Sequence, residues 1–301
     1  MSEVRPNVAV LQVTRDKVFP GLAVRAWHRV QERVRQPELR HTLARAIALM
    51  RPRGAAGQKM QTSADLELAL DGVTHFRGFL STERSAQLHD MLARMPCRDP
   101  WKPQLGKFAV DAAPVGTHVA DIPAAPTLLA LHQIACDPHL VSLAATYFGS
   151  RPYLDSIQAW WSLPGNTEPE EAENYHRDND GIRFLKFFLY LTDVGENNGP
   201  HRFVRGSHRE ARLLQRRRLS DEEVRDCFGD ERMLSMTGLA GDSFMEDTFG
   251  IHKGQLPRTA RRLLVQFRYS LTPTIFRSPV LVARSPDIDR TQVTSLLHER
   301  G

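Results

Sequence analysis

The segment YHRDND, residues 175–180, sets a histidine and a carboxylate two residues apart, His176 and Asp178. On an extended chain residues i and i+2 project to the same side, so this imidazole and this carboxylate can converge on one ion. Two histidines and one carboxylate on one face of an octahedral ion leave three positions open. That donor set suits ferrous iron, which must bind a co-substrate and oxygen together. Asp180 falls outside the two-residue spacing and precedes Gly181, so a turn is expected there.

A third donor has to come from elsewhere in the fold, and His201, His208 and His252 compete for that place. His208, with Glu210, forms a decoy His-x-Glu pair. His252 lies at the end of one β-like segment and just ahead of another, and ten residues beyond it stands Arg262. In RRLLVQFRY, Arg262, Gln266 and Arg268 share one face, while Leu263, Val265, Phe267 and Tyr269 share the other. An arginine at the head of such a strand is placed to grip a carboxylate bidentately inside a cavity. On that ground His252 is the expected third ligand.

Lys186 interrupts the doubly apolar run IRFLKFFLYL, where an unpaired ammonium is costly to bury. Two uses fit it: pairing with a nearby Asp or Glu, or a counter-charge for an acidic co-substrate or substrate. Gln158 shares a face with Ser156, Trp160 and Ser162, a polar face suited either to lining a cavity or to a structural role. Trp161, on the opposite face, is assigned to packing. Asp247 and Tyr175 flank the expected ligands and are candidates for supporting or substrate contacts.

The elements that must position these residues fall in two halves. Helical spacing dominates the first. GVTHFRGFL predicts a strand that delivers the chain into a helix capped by Ser81 or Thr82, with Leu88, Met91 and Leu92 as its apolar stripe. A second helical pattern over residues 126–149 breaks near Asp137–Pro138 and stops at Gly149. From Tyr153 onward, short strands separated by turn signals follow one another: YLDSIQAWWSLPG, IRFLKFFLYLTDV, RFVRGSH, segments near Met233–Met236 and Asp242–Glu246, RRLLVQFRYSL and SPVLVA. Without βαβ alternation, they predict an antiparallel sandwich or barrel supported on one face by the helices. A charged helical insertion near Arg212–Asp226 is placed to act as a lid.

At 301 residues, 41% apolar and 25% charged, the chain has the composition of a folded globular protein with a sizeable core. It shows no apolar run near membrane-spanning length and no secretory signal. Cys97, Cys136 and Cys227 make neither a disulfide framework nor a zinc site, so a cytoplasmic location is expected. The net charge of +5 is uneven: residues 1–60 carry 12 Lys/Arg against 4 Asp/Glu. That stretch is expected to form a basic helical arm with solvated faces, or a surface attracting an anionic substrate or partner. No aromatic platform is interleaved with its arginines, which disfavours nucleic acid.

Several segments together resemble the phytanoyl-CoA dioxygenase family of iron(II)- and 2-oxoglutarate-dependent oxygenases. THFRGFLSTERSAQLHDML is similar to the family's first strand and helix, and LVSLAATYFGSRPYLDSIQAWWSLPG to its second helix and following strand. LYLTDVGENNGPHRFVRGSH matches its turn and Gly-Ser-His segment, and GIHKG followed by Arg262 its distal histidine and co-substrate arginine. The likeness runs in the family's order over about residues 70–280. It implies an α+β fold with a double-stranded β-helix (jelly-roll) core over 61–285 and supporting N-terminal helices; residues 1–60, which it does not cover, are read as a basic helical arm, and 286–301 as a tail.

The resemblance further implies that His176, Asp178 and His252 hold Fe(2+), and that Arg262 takes the distal carboxylate of 2-oxoglutarate, with Arg261 the alternative if the strand is rotated by one residue. Lys186 and Gln158 are further co-substrate candidates. O2 is the other co-substrate, and the products are succinate, CO2 and a hydroxylated small molecule, anionic or carrier-linked. Two positions depart from the family: Gly254 stands where a serine or threonine often helps hold that carboxylate, and Arg205 replaces the usual proline before Gly-Ser-His. A cupin-like metal enzyme has no need of Arg262, and a silent binding module would have lost a ligand, which this chain has not.

Overall fold

A computed structural model of the protein describes residues 22–51 and 62–273. The expected strand SPVLVA and the C-terminal tail lie outside the described residues. Among the described residues the helices are α1 (Leu22–Arg33), α2 (Pro37–Leu49), α3 (Ser63–Leu70), α4 (Thr82–Ala93), α5 (Leu129–Ala135), α6 (Pro138–Phe148) and α7 (Asp221–Phe228). The strands are β1 (Val73–Phe76), β2 (Cys97–Arg98), β3 (Lys107–Phe108), β4 (Val119–Asp121), β5 (Tyr153–Ser162), β6 (Phe184–Tyr190), β7 (His201–Val204), β8 (Met233–Met236), β9 (Ser243–Glu246), β10 (His252–Gly254) and β11 (Arg262–Ser270).

They form two antiparallel sheets facing each other: a large one ordered β1-β9-β6-β11-β5-β4-β2-β3 and a small one ordered β10-β7-β8. This is a jelly roll with helices packed outside it. The central strands β6 and β11 are buried on both faces; β6 is apolar apart from Lys186, while β11 buries Arg262, Gln266, Arg268 and Ser270 on one side. Leu185, Phe187, Leu189, Leu263, Val265, Phe267 and Tyr269 point outward into the main core, with Leu88 and Leu92 of α4 and Leu140, Leu143 and Phe148 of α6. Inward, Phe188, Tyr190, Phe244 and Leu264 meet Phe203 and Met236 of the small sheet. A third cluster, with Val224 and Phe228 of α7, covers the small sheet's outer side through Val204. The charged insertion thus closes a sheet face with a short helix.

Local signals work as expected. Ser81 caps α4 by accepting from the Arg84 amide. Asp137 caps α6, and Gly149, at φ 69°, ends it in the left-handed conformation glycine adopts most easily.

Within the described residues the basic N-terminal segment forms two helices that leave Arg25, Arg29, Arg33 and Arg45 exposed, in keeping with its expectation. Their other faces are docked on the jelly roll, and Arg40 is buried there. Gln31, fully buried, accepts through Oε1 from the Ile182 amide (2.7 Å) and the Thr272 hydroxyl (3.1 Å). Arg40, 5% exposed, donates to Asn179 Oδ1 (2.8 Å), the Gly181 carbonyl (2.5 Å) and the Val34 carbonyl (2.9 Å), and lies over the Phe249 ring. Asn179 in turn donates to the Glu32 carbonyl (2.7 Å). These bonds fix the segment that follows Asp178.

Candidate metal centre

Backbone pairing brings the separated donors together. His176 and His252 form an antiparallel bridge, each amide donating to the other's carbonyl at 2.9 and 3.0 Å, and the Asp178 amide donates to the Thr248 carbonyl at 2.9 Å. Donor atoms of His176, Asp178 and His252 all lie within 4.8 Å of one another. Asp178 Oδ1 is 3.6 Å from His176 Nε2 and Oδ2 is 3.3 Å from His252 Nε2.

The tautomers follow from the hydrogen bonds. His176 Nδ1 lies 2.9 Å from the Asn174 carbonyl and His252 Nδ1 2.9 Å from the Gly250 carbonyl. A carbonyl can only accept, so both Nδ1 atoms carry the proton and both Nε2 lone pairs are free for a cation. Burial alone would raise the Asp178 carboxyl, but the Lys186 ammonium beside it holds it well below its ordinary range, so it is ionised. Three convergent donors, two neutral and one anionic, fit a divalent ion.

Lys186 sits on β6 facing this carboxylate, its Nζ 2.5 Å from Asp178 Oδ2 and 3.2 Å from Asp180 Oδ2. Burial opposes its charge, but those two carboxylates outweigh it and raise its pKa. The acidic partner of Lys186 is therefore the expected ligand itself. Asp180 also pairs with Arg268 (2.8 Å), and Arg268 with Asp155 (3.0 Å).

Arg262 is different. It is 3% exposed and forms no salt bridge with any carboxylate among the described residues. One guanidinium nitrogen donates to the Gly199 carbonyl, another to Ser162 Oγ (2.9 Å), and Nε has no partner. Desolvation lowers its pKa. A buried, uncompensated guanidinium fits the distal carboxylate of 2-oxoglutarate. Gly254, two residues past His252, adjoins it: a Cβ there would lie 3.4 Å from the guanidinium. The hydroxyl missing at Gly254 has a counterpart in Ser162, paired with Arg262 across β5 and β11. Gln158 lies farther along the same inner face, its Oε1 accepting from Gln266 (2.8 Å). Arg261 faces away, paired with Asp111 and stacked on Trp161.

The remaining candidates separate cleanly. His201 Nε2 bonds Glu246 Oε1 at 2.8 Å, and its ring stacks on His252 at 5.5 Å. Burial pushes Glu246 up to about 8 and His201 well below its ordinary value, so at neutral pH a carboxylic O–H donates to a neutral imidazole. His208 is buried beside a separate cavity of about 700 Å³ behind Asp247 and Phe249. Asp247 accepts from the Tyr147 hydroxyl (2.6 Å) and the Phe249 amide (3.0 Å), and Tyr175 lies under the Lys253 ammonium. Glu246 escapes sequence reading, because only strand register shows that it faces Lys186 across β9 and β6.

The fold and donor set define a jelly-roll metal enzyme. A model of the Phytanoyl-CoA dioxygenase (PhyH) family matches residues 68–260, more than half of the chain. The chain belongs to that family of iron(II)- and 2-oxoglutarate-dependent oxygenases, which use O2 as the second co-substrate. No curated protein matches it in sequence. Among solved structures it is similar to SnoK, a non-heme alpha-ketoglutarate-dependent carbocyclase from nogalamycin biosynthesis, at 18% identity and TM-score 0.51, covering 71% of this chain and 85% of that one. HygX from Streptomyces hygroscopicus, solved with nickel and 2-oxoglutarate, gives 18% and 0.51 over 76% of this chain and 94% of its own. EctD from S. alaskensis, solved with iron, gives 18% and 0.50 over 75% and 86%. These likenesses establish the fold. No helix among the described residues is long and apolar enough to cross a membrane.

Proposed function

We propose that the protein hydroxylates an unactivated C–H bond of a small molecule, with His176, Asp178 and His252 holding Fe(2+) and Arg262 holding 2-oxoglutarate. The overall balance is R–H + O2 + 2-oxoglutarate giving R–OH + succinate + CO2. The bound iron and co-substrate supply the oxidising chemistry. The chain's own residues supply placement. Nδ1 bonds to the Asn174 and Gly250 carbonyls keep both imidazoles oriented. Lys186 keeps Asp178 ionised. Arg262 and Ser162 offer donors to a carboxylate, and Phe188, Phe244 and Leu264 form a buried apolar cluster on the inner face of the large sheet. The observation that carries this reading is Arg262, a buried guanidinium without a salt-bridged carboxylate among the described residues, on the inner face of the large sheet and beside Gly254 of the strand that carries His252. Hydroxylation, rather than halogenation, is supported by Asp178, since halide needs the position a carboxylate occupies. The three free cysteines support a reducing, cytoplasmic setting.

The test is anaerobic addition of Fe(2+) and then 2-oxoglutarate. A weak visible charge-transfer band that requires both additions and is lost in His252→Ala supports the reading. Iron binding without the band would contradict the role of 2-oxoglutarate. With a substrate in hand, one atom of 18O2 in the product separates hydroxylation from cyclisation or epimerisation.

A further inference from the structure

The metal donors open onto a cavity of about 600 Å³ whose floor includes His176 and Asp178. Its far wall comes from outside the span matched by the family: His28, Glu32 and Arg35 belong to α1 and the turn into α2. Opposite them runs Arg216–Arg218, in the loop before α7.

The charges around this mouth are unequally satisfied. Arg218 pairs with Glu171 (2.8 Å), Arg217 with Glu223 (2.9 Å) and Arg216 with Glu32 (3.1 Å). Arg177 spends its guanidinium on backbone carbonyls, among them those of Ser207, Phe249 and Arg212. Asp178 and Asp180 are engaged by Lys186 and Arg268. Arg35 alone in this group has neither an ion pair nor a hydrogen bond. It is half-buried, and its charge is disfavoured first by desolvation and then by the neighbouring Arg216. An unpaired guanidinium that shares with a second one the lining of a cavity reaching His176 and Asp178 is complementary to an oxyanion.

We propose that Arg35, flanked by Arg216, binds a phosphate or carboxylate group of the substrate and so orients the bond to be oxidised toward His176 and Asp178. The proposal rests on the oxygenase reading of that metal site. It gives the N-terminal helix pair a specificity-determining role, and the docking bonds of Gln31, Arg40 and Asn179 fix Arg35 relative to Asp178.

The test uses full-length protein loaded with Mn(2+) and 2-oxoglutarate, titrated in parallel with inorganic phosphate and with acetate. Calorimetry gives affinity, and 31P or 13C relaxation by the paramagnetic ion gives proximity. At least one anion is expected to bind saturably with enhanced relaxation, and the tighter of the two identifies the group. Arg35→Gln is expected to weaken binding about tenfold, and Glu32→Gln, which frees Arg216, to strengthen it about threefold. Arg209→Gln, lining the other cavity, is expected to bind as the parent does. Unchanged affinity in Arg35→Gln, or Arg35-dependent binding without relaxation in protein that holds Mn(2+), would overturn the proposal. Protein that binds the anion through Arg35 yet fails to hold Mn(2+) would contradict the metal-centre reading and leave the anion site supported.

Discussion

Arg262 and Arg268 lie on one strand and one face, six residues or roughly 20 Å apart, and both are about as buried as arginines become. Arg268 is bracketed by Asp155 and Asp180, while Arg262 meets a carbonyl, the Ser162 hydroxyl and the Tyr190 phenol, with no salt-bridged carboxylate and no partner at Nε. The local environments drive their pKa values in opposite directions: carboxylates raise that of Arg268 despite burial, and burial lowers that of Arg262. One buried guanidinium neutralised twice and another without a salt-bridged carboxylate support the proposal that the second takes an anion arriving from outside. The two ends of β11 thus divide into an ion cluster, which contacts the Asp178 segment through Asp180, and an end whose guanidinium has no salt-bridged carboxylate.

This division predicts different consequences for similar substitutions. Arg268→Gln removes the arginine that joins buried Asp155 to Asp180 and is expected to destabilise the fold by about 3 kcal/mol, read by urea denaturation. A loss below about 1 kcal/mol would erase the contrast between the two ends. Glu246 tests the charged layer next to Lys186. Its carboxyl titrates near 8 in the fold against an ordinary 4.5, so between those values the native state holds a proton that the unfolded chain has released. Its contribution to stability is complete below about 4.5 and is lost as pH rises toward 8. His201, depressed by burial, acts oppositely, losing stability as pH falls below its ordinary 6.5. Melting of the metal-free protein should therefore show the parent losing ground to Glu246→Gln between pH 5 and 8; parallel curves would mean that Glu246 is ionised throughout. Ser162→Ala should have the smallest effect, weakening 2-oxoglutarate about threefold without changing the melting temperature, as one hydrogen bond would. An unchanged affinity would leave Arg262 as the only donor at that end.

What the sequence disclosed here follows from periodicity. Alternation along Arg262–Ser270 separates the inner residues from Leu263, Val265, Phe267 and Tyr269, and His176 and Asp178 fall on one side of an extended segment for the same reason. Helix ends at Ser81 and Gly149 were readable because caps and left-handed glycines are local devices. What stayed hidden depends on register between distant strands. Nothing near Lys186 in sequence marks Asp178 over Asp180 as its shortest contact, and nothing near Ser162 says that it lies beside Arg262. The basic composition of residues 1–60 likewise gave no sign that Arg40 would be buried against the segment after Asp178. Its carbonyl and amide acceptors, at Gly181 and Asn179, lie about 140 residues away.

The most direct measurement is the affinity of anaerobic, Fe(2+)-loaded protein for 2-oxoglutarate, by calorimetry, in the parent and in Arg262→Gln. Losing the only uncompensated buried guanidinium on this face should weaken 2-oxoglutarate at least tenfold, while the metal-free fold melts no lower than the parent. Equal affinities for 2-oxoglutarate, or a large drop in stability with affinity retained, would show that Arg262 is a structural cation like Arg268 and would contradict the account.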